Sequence, residues 1–220
     1  RAVPGAGGLA AAAMLAAPRQ AYVVLGAEPE LDCADGAQAL AAVRQAACTI
    51  VMTPFKSAAM LDYAAVLLPV SPFSETSGTF VNAEGRAQSF YAAGKPLGES
   101  RPAWKVLRVL GNLLEQPGFD QESSEAVRAE VLGGDPGFVG GLDNGIATIG
   151  FHPAPSASGL ERLAEVPIHF ADALVRRAPA LQRAADSAAP AARMNAATLA
   201  HLGVAAGDRV KATGSAGSAT

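Results

Sequence analysis

The sequence has few residues of the kinds that build metal clusters. It contains only two cysteines, Cys33 and Cys48, with no CxxC pair and no histidine at ligand spacing. Because zinc and iron-sulfur sites need several such ligands at short spacing, the chain alone predicts neither kind of site. So low a cysteine content also favours a reducing compartment over an oxidising one.

An excess of charge and a long apolar run are also missing. The net charge is -3, from 17 Lys and Arg against 20 Asp and Glu, so no basic surface for nucleic acid is expected. The longest apolar stretch, residues 9–17, is shorter than the roughly 20 residues of a membrane-spanning helix. We therefore expect no nucleic-acid partner and no direct membrane span.

Hydrophobic residues make up 50% of the chain, which is enough to bury a globular core. The chain begins at Arg1 without methionine and has no signal-peptide pattern in its first residues. Its last residues follow an expected strand and supply no partner strand for it. We expect the chain to be a piece of a longer protein.

The first half alternates short apolar runs with helical patterns. The apolar runs are residues 21–25, 48–53 and 65–70. Between the first two, Asp35 can cap a helix over residues 36–47, whose apolar side chains recur at helical spacing. A short helix is expected before the third run. Strands separated by helices pair in parallel, so the pattern predicts an α/β fold with a parallel, doubly wound, Rossmann-like sheet.

A ligand site in such a sheet lies at the rim formed by the carboxyl ends of the strands. The loops after the three runs reach this rim, and they place Glu28, Thr53 and residues 71–75 there. This inference rests on the position of these residues directly after the expected strands.

The second half is less regular. A helix beginning near Ser100 or Pro102 carries one apolar stripe that we assign to the core: Trp104, Leu107, Leu110 and Leu114. Another helix is expected over residues 125–132. We divide the chain into an α/β domain over 1–132, a Gly- and Pro-rich linker or surface meander over 133–159, and the truncated start of a β-rich domain over 160–220. In that last part, strands are expected at 165–170 and 208–213, and Asn195 and Gly203 bound a helix.

The loop over residues 75–88 concentrates polar groups beside the predicted rim. Its notable residues are Glu75, Gly78, Thr79, Asn82, Glu84, Gly85 and Arg86. As a structural element, the loop would be ordered by an ion pair of Arg86 with Glu75 or Glu84, and by hydrogen bonds of Asn82 and Thr79 to the backbone. As a binding element, the same groups would contact a nucleotide. The residues alone favour the structural role, since paired charges neutralise each other.

No catalytic residue and no metal ligand is predicted. The histidines, at positions 152, 169 and 201, lie in separate segments without an acidic partner at useful spacing. The glycine-rich residues 5–8 follow no strand and match neither the dinucleotide nor the Walker spacing.

Two stretches resemble a known family. Tyr63-Ala-Ala-Val-Leu-Leu-Pro-Val, followed by Glu75-x-x-Gly-Thr-Phe-x-Asn-x-Glu-Gly-Arg-x-Gln88, is similar to the signature of the molybdopterin oxidoreductase superfamily. Within it, the chain resembles the large iron-sulfur subunit of bacterial NADH-quinone oxidoreductase, or respiratory complex I. The segments that carry this resemblance are residues 21–32, 72–90, 95–108 and 172–182.

The resemblance implies a carboxy-terminal structural part of that large complex I subunit, supporting electron transfer from NADH to quinone. Its final residues would begin a double-psi-barrel-like domain. This fragment would hold no cofactor and would not be catalytic alone. The iron-sulfur (4Fe-4S) clusters would lie in a missing amino-terminal part. The partners would be other peripheral-arm subunits of this proton-translocating complex, on the cytoplasmic side of the inner membrane.

An alternative within the same superfamily is a formate-dehydrogenase-like oxidoreductase that binds molybdopterin guanine dinucleotide. The resemblance would then assign cofactor binding to Gly26, Glu28, Thr79, Asn82 and Arg86. Enzymes of this superfamily hold the cofactor partly through a Gly-x-Asn-Pro turn, which here reads Gly26-Ala-Glu28-Pro29. A carboxylate at the Asn position would repel phosphate, which favours the complex I branch.

Overall fold

The computed structural model describes residues 8–82, 84–133, 159–161, 163, 166–187, 191–214 and 217–219. The chain forms two compact units, Arg1–Glu161 and Arg162–Thr220. The helices of the first unit are α1 (Ala11–Ala16), α2 (Pro29–Asp32), α3 (Gly36–Gln45), α4 (Ala58–Tyr63), α5 (Ala103–Leu113) and α6 (Ser124–Leu132). Its strands are β1 (Ala21–Leu25), β2 (Cys48–Thr53), β3 (Val66–Pro69), β4 (Gly78–Val81) and β5 (Ala87–Phe90), and Phe73–Glu75 forms a 3-10 turn.

A parallel sheet with the order β1-β2-β3 organises the first unit. Val24 of β1 pairs with Val51 of β2, which pairs with Leu67 of β3. Because residues in register point to the same face, these side chains meet on one side of the sheet. The expected α/β fold with adjacent parallel strands is confirmed.

Helices α3 and α4 cover that face and complete the core. Val51 and Met60 are fully buried there, and Val43 and Tyr63 pack against them. Asp35 caps α3 as expected, because its Oδ1 accepts a hydrogen bond of 2.8 Å from the Gln38 amide. This places a helix on one face of the sheet, as the helical spacing over residues 36–47 predicted.

The opposite face is covered less completely. Met52 is buried on that side, but Val23 and Leu25 of β1 remain 51% and 45% exposed, and Val66 of β3 remains 42% exposed. A doubly wound sheet would carry a second helical layer there. That second layer stays a prediction.

The segment expected to be a loop, residues 75–88, lies largely in a hairpin. Strands β4 and β5 pair antiparallel, with Gly78 opposite Phe90 and Phe80 opposite Gln88. The rings of Phe80 and Phe90 stack at a centroid distance of 4.8 Å. A Cβ at Gly78 would lie 2.8 Å from the Phe90 ring, so glycine lets that ring lie across β4. The expectation of a loop was wrong because no sharp turn dipeptide marks this hairpin.

Helix α6 supports the other face of the hairpin. The hydroxyls of Ser77 and Ser124 share a hydrogen bond of 2.7 Å, and Arg128 donates to Ser89 Oγ at 2.6 Å. Ser123 caps α6 through the Ala126 amide. Two side-chain contacts therefore tie the motif-bearing hairpin to a helix.

The apolar stripe of α5 is only partly in the core. Trp104, Leu107 and Leu110 are half-buried, as expected, but Leu114 is 60% exposed. The helix ends at Leu113, so Leu114 leaves the helical spacing that placed it on the stripe. Including Leu114 in the core was wrong.

In the second unit the elements are short. They are α7 (Pro179–Gln182), α8 (Ala196–Leu202), 3-10 turns at Ile168–Phe170, Val175–Arg177 and Ala185–Ser187, and the antiparallel strands β6 (Ala212–Gly214) and β7 (Gly217–Ala219). Asn195 caps α8 and Gly203 ends it with φ 67°, as predicted.

The strand expected at 165–170 is wrong in its described part, because Ile168–Phe170 turns as a 3-10 helix after Pro167. The strand expected over 208–213 begins only at Ala212. A β-barrel is not seen in the described part of this unit, and its presence stays a prediction. Residues 134–158 of the expected linker lie outside the described residues, so the three domain boundaries stay predictions too.

Candidate functional site

The turn after β1 lies at the carboxyl rim of the parallel sheet. Gly26 adopts φ 61°, a left-handed conformation that glycine takes without strain, and its amide donates to the Met52 carbonyl at 2.9 Å. The chain then enters α2, where the Glu28 carbonyl accepts bonds of 2.8 Å from the amides of Leu31 and Asp32. Backbone geometry thus fixes where Glu28 lies.

Carboxylates surround this turn. The Glu28 amide donates a hydrogen bond of 2.6 Å to Asp32 Oδ2, and Glu28 itself is only 2% exposed. Glu30 lies on the same short helix. The turn therefore carries negative charge, and an amide that could have bound an anion already has a carboxylate partner.

The ionisation of two nearby groups responds to this environment. Burial, with the charges of Glu30 and Glu28, raises the pKa of Tyr63 to about 12. Burial, with the charges of Asp32 and Glu30, also raises the pKa of the Cys33 thiol. Both groups stay protonated and neutral near pH 7. The Tyr63 hydroxyl and Glu30 Oε2 are buried without a hydrogen-bond partner among the described residues.

Thr53 and Glu75, which were also expected at the rim, make hydrogen bonds to the backbone of loops. Thr53 Oγ1 donates to the Phe55 carbonyl at 2.9 Å and accepts from the Phe55 amide at 3.1 Å. Glu75 Oε2 accepts a bond of 3.0 Å from the Leu97 amide. Thr53 thus orders its own loop, and Glu75 ties its 3-10 turn to the separate segment at Leu97.

The hairpin turn is held by Asn82. Its Oδ1 accepts bonds from the amides of Glu84 at 3.0 Å and Arg86 at 2.9 Å, and Gly85 takes the left-handed φ of 79°. Arg86 pairs with Glu84 at 3.6 Å, not with Glu75. Because both charged side chains are well exposed, this ion pair contributes little. The expected Arg86–Glu84 pair and the expected bonds of Asn82 to the backbone are both present, and the bonds of Asn82 contribute more to the order of the turn.

The five residues of the alternative cofactor prediction fall into two groups. Gly26 and Glu28 belong to the turn after β1. Thr79, Asn82 and Arg86 belong to the hairpin, where the Thr79 and Ser89 hydroxyls bond across the strands at 3.1 Å. Thr79 was expected to bond to the backbone instead. The side-chain contacts that hold these three residues lie within the hairpin itself, and whether either group binds a ligand stays a prediction.

The sequence does not predict that two side-chain nitrogens are buried without a hydrogen-bond partner. The apolar stripe predicts only that Trp104 lies in the core, yet Trp104 Nε1 and Arg108 Nε are both buried without a partner in the part of the chain that the structure describes. Residue spacing could not have predicted the lack of partners, since it depends on which atoms approach these two nitrogens in the folded chain.

Within the described ranges, no group of three or more His, Cys, Asp or Glu side chains could hold a metal ion. No described helix has both the length and the apolar character to cross a membrane. His152 and residues 5–7 lie outside the described residues.

Comparison with known families decides the classification. A sequence model described as Molybdopterin oxidoreductase matches residues 1–113 of the 220. The chain belongs to the molybdopterin oxidoreductase family. The match covers the hairpin, α5 and the parallel sheet, whose strand ends form the rim.

Several curated proteins that the chain matches come from Staphylococcus aureus and are named "Putative formate dehydrogenase". The protein of strain bovine RF122 / ET3-1 is 52% identical over 58 residues, covering 26% of this chain and 6% of the relative. The protein of strain USA300 is 50% identical over 58 residues, with the same coverage. The chain thus spans about 6% of the length of these relatives. The comparisons support the family, and they do not single out the complex I subunit.

Members of this family are expected to bind a molybdopterin cofactor, and the turn after β1 is where its fit can be judged. A dinucleotide cofactor brings a doubly charged pyrophosphate, which needs amide or cationic donors. Here the Glu28 amide is bonded to Asp32, and the Glu28 carboxylate is buried in the turn. These residues do not fit a phosphate group.

Proposed function

We propose that the chain is a supporting, non-catalytic part of a larger oxidoreductase that resembles a formate dehydrogenase. The name of the S. aureus relatives supports formate as the substrate of the parent protein. Oxidation of formate to carbon dioxide releases two electrons and one proton, so it needs a redox centre. We place that centre in other parts of the parent protein, because Cys33 and Cys48 cannot ligate a cluster by themselves.

The supporting role rests on one observation, the acidic turn at Glu28. A residue that repels phosphate, and an amide already bonded to Asp32, suit a scaffold better than a cofactor cradle. In this proposal, the sheet and α3 hold the turn rigid, and Asn82 holds the hairpin. No side chain of the chain transfers a proton or electron.

The same observation favours a second candidate, the large subunit of NADH-quinone oxidoreductase. There the chain would be a structural part of the peripheral arm, in contact with other peripheral-arm subunits on the cytoplasmic side of the membrane. Loss of the phosphate-binding turn would be tolerated in such a subunit, since the parent complex would pass electrons through iron-sulfur clusters elsewhere.

Analysis of the full-length parent protein, purified from cells grown with ample molybdate, separates the two candidates. Molybdenum and guanine nucleotide are quantified by mass spectrometry, and formate-dependent dye reduction is assayed. The first candidate predicts stoichiometric molybdenum and nucleotide with formate activity. The second predicts neither, together with NADH-dependent quinone reduction by the assembled complex. If the protein supports neither activity, both candidates are wrong.

A variant tests the supporting role itself. Glu28→Asn in the full-length protein should leave molybdenum content and kcat within about twofold of the wild type. A change in molybdenum content or in kcat well beyond twofold would show that the turn contacts the cofactor.

A further inference from the structure

Three hydrogen-bond donors near the start of α5 are buried without a partner. They are Ser71 Oγ, Trp104 Nε1 and Arg108 Nε, none of which has a hydrogen-bond partner among the described residues. Ser71 is only 7% exposed. Buried polar atoms in folded proteins are nearly always bonded, so three such donors indicate a missing acceptor.

Backbone contacts place Ser71 beside the start of α5, the helix that carries Trp104 and Arg108. Val70 forms an isolated parallel bridge with Arg101, and the Ser71 amide donates to the Arg101 carbonyl at 2.9 Å. Helix α5 begins two residues later, with Trp104 in its first turn. Arg108 follows Trp104 by four residues, so both side chains lie on the same side of the helix. Ser71 therefore lies beside the first turn of α5.

The charge at this place is positive. Helix α5 has no acidic residue in its first turn, and Pro102 at its N-cap offers no capping side chain. The Lys105 ammonium lies 5.3 Å from the centre of the Trp104 ring. Positive helix dipole, guanidinium and ammonium all favour an anion over a neutral acceptor.

We propose that Ser71, Trp104 and Arg108 form a binding site for an oxyanion, either a phosphate or a carboxylate group. The indole N–H and the guanidinium Nε–H can only donate, and the serine hydroxyl is free to donate. An oxyanion offers enough lone pairs to accept from all three at once. This site uses none of the residues of the acidic turn at Glu28, and it does not depend on the proposed function.

A neighbouring serine provides the control. Ser100 is buried to a similar degree, but its hydroxyl already donates to the Leu97 carbonyl at 2.8 Å. A substitution of Ser100 therefore removes a buried hydroxyl without touching the proposed site.

Trp104 is the only tryptophan of the chain, so its signals report on the site directly. The 220-residue chain is titrated with inorganic phosphate and, separately, with acetate, at ionic strength held constant with chloride. Tryptophan fluorescence and the Trp104 indole N–H resonance are recorded. We expect a saturable change in both signals. Tighter binding of phosphate assigns a phosphate-bearing ligand, and tighter binding of acetate assigns a carboxylate.

Variants then test the individual donors. Ser71→Ala should weaken binding about tenfold, because it removes a hydrogen bond to a charged group. Arg108→Lys keeps the charge but loses the Nε donor, so it should weaken binding about as much. Ser100→Ala should change affinity less than about twofold.

Two results would overturn the site. The first is a signal that does not saturate, or that chloride alone reproduces, since a bound water or general screening would then explain the donors. The second is wild-type affinity in both Ser71→Ala and Arg108→Lys, since charge alone would then attract the ion.

Discussion

At the residue scale, Glu28 determines which groups the rim of the sheet can accept. Its carboxylate is buried at the turn, at the position where the family pattern has Asn. A buried carboxylate is tolerated only when its surroundings satisfy it. We therefore expect Glu28→Asn to lower the free energy of unfolding by about 1–3 kcal/mol, because the groups around it lose their partner.

Urea unfolding of the 220-residue chain measures this cost. The control is Glu99→Gln, an exposed substitution that should stay within about 0.5 kcal/mol of the wild type. If Glu28→Asn unfolds at the same urea midpoint as the wild type, Glu28 is not tied into the turn.

Tyr63 provides a second prediction, in which removal of a buried hydroxyl does not lower the stability of the fold. Its hydroxyl is buried and has no partner in the described part of the chain, so Tyr63→Phe should be neutral or stabilising at pH 8. The matched control is Tyr22→Phe, which removes a hydroxyl that donates to the Met14 carbonyl at 2.8 Å and should cost about 1 kcal/mol. A loss above about 1 kcal/mol in Tyr63→Phe would contradict the assignment.

The alkaline pH dependence follows from the same residue. The pKa of Tyr63 rises from 10.0 in the unfolded chain to about 12 in the folded one. The folded state therefore keeps its proton where the unfolded state has lost it, and stability falls as pH rises from 10 to 12. Between pH 8 and pH 11.5 the wild type should lose about 1–2 kcal/mol more than Tyr63→Phe. Urea midpoints of both proteins at pH 8, 10 and 11.5 would show this difference.

At the element scale, the packing of α2 against α3 depends on Gly36. A Cβ at Gly36 would overlap the Glu30 carbonyl oxygen, a backbone atom that cannot rotate away. Alanine usually stabilises a helix by up to about 1 kcal/mol relative to glycine. Here Gly36→Ala should instead cost about 1–3 kcal/mol, because the two helices must move apart.

Gly94 is the matched control, since a Cβ there meets nothing within 4 Å and its backbone is not left-handed. Gly94→Ala should be neutral or slightly stabilising. Thermal unfolding of the two variants shows directly whether each substitution raises or lowers stability. A stabilising Gly36→Ala would mean that α2 and α3 are not in such close contact.

Sequence patterns correctly predicted those helices and strands that are marked by apolar runs or capping residues. The strands β1 and β2, helix α3 with its Asp35 cap, and helix α8 between Asn195 and Gly203 follow from apolar runs and capping residues. The bonds of Asn82 in the turn of the hairpin β4–β5 were expected, but its two strands were not, because their pairing depends on contacts between strands such as the stacking of Phe80 with Phe90. Those contacts join residues that no sequence period connects.

The candidate site follows the same division. Position after a strand predicted that Glu28 and Thr53 lie at the rim, since the carboxyl ends of parallel strands share one edge. Burial of Glu28, its bonded amide and the unpartnered donors of Ser71, Trp104 and Arg108 could not be predicted. These properties depend on how separate loops approach one another in three dimensions.

At the scale of the whole molecule, the more exposed face of the sheet has a measurable consequence. Parallel sheets are normally buried on both faces, yet Val23 and Val66 stay about half exposed on the edge strands. Apolar surface of this kind binds hydrophobic dyes. The 220-residue chain should therefore bind anilinonaphthalene sulfonate, and Val23→Thr combined with Val66→Thr should lower the dye emission by about twofold or more.

Threonine keeps the β-branched shape that strands favour, so the double variant should retain the sheet while making this face polar. Val131→Thr is the control, because Val131 is 67% exposed and lies on α6, a helix that contacts β4 of the hairpin. That substitution should leave the dye emission within about a tenth of the wild-type value. Far-ultraviolet circular dichroism checks that every variant is folded. Equal dye binding by the wild type and the double variant would show that this face is covered in solution, and that the sheet already has its second layer.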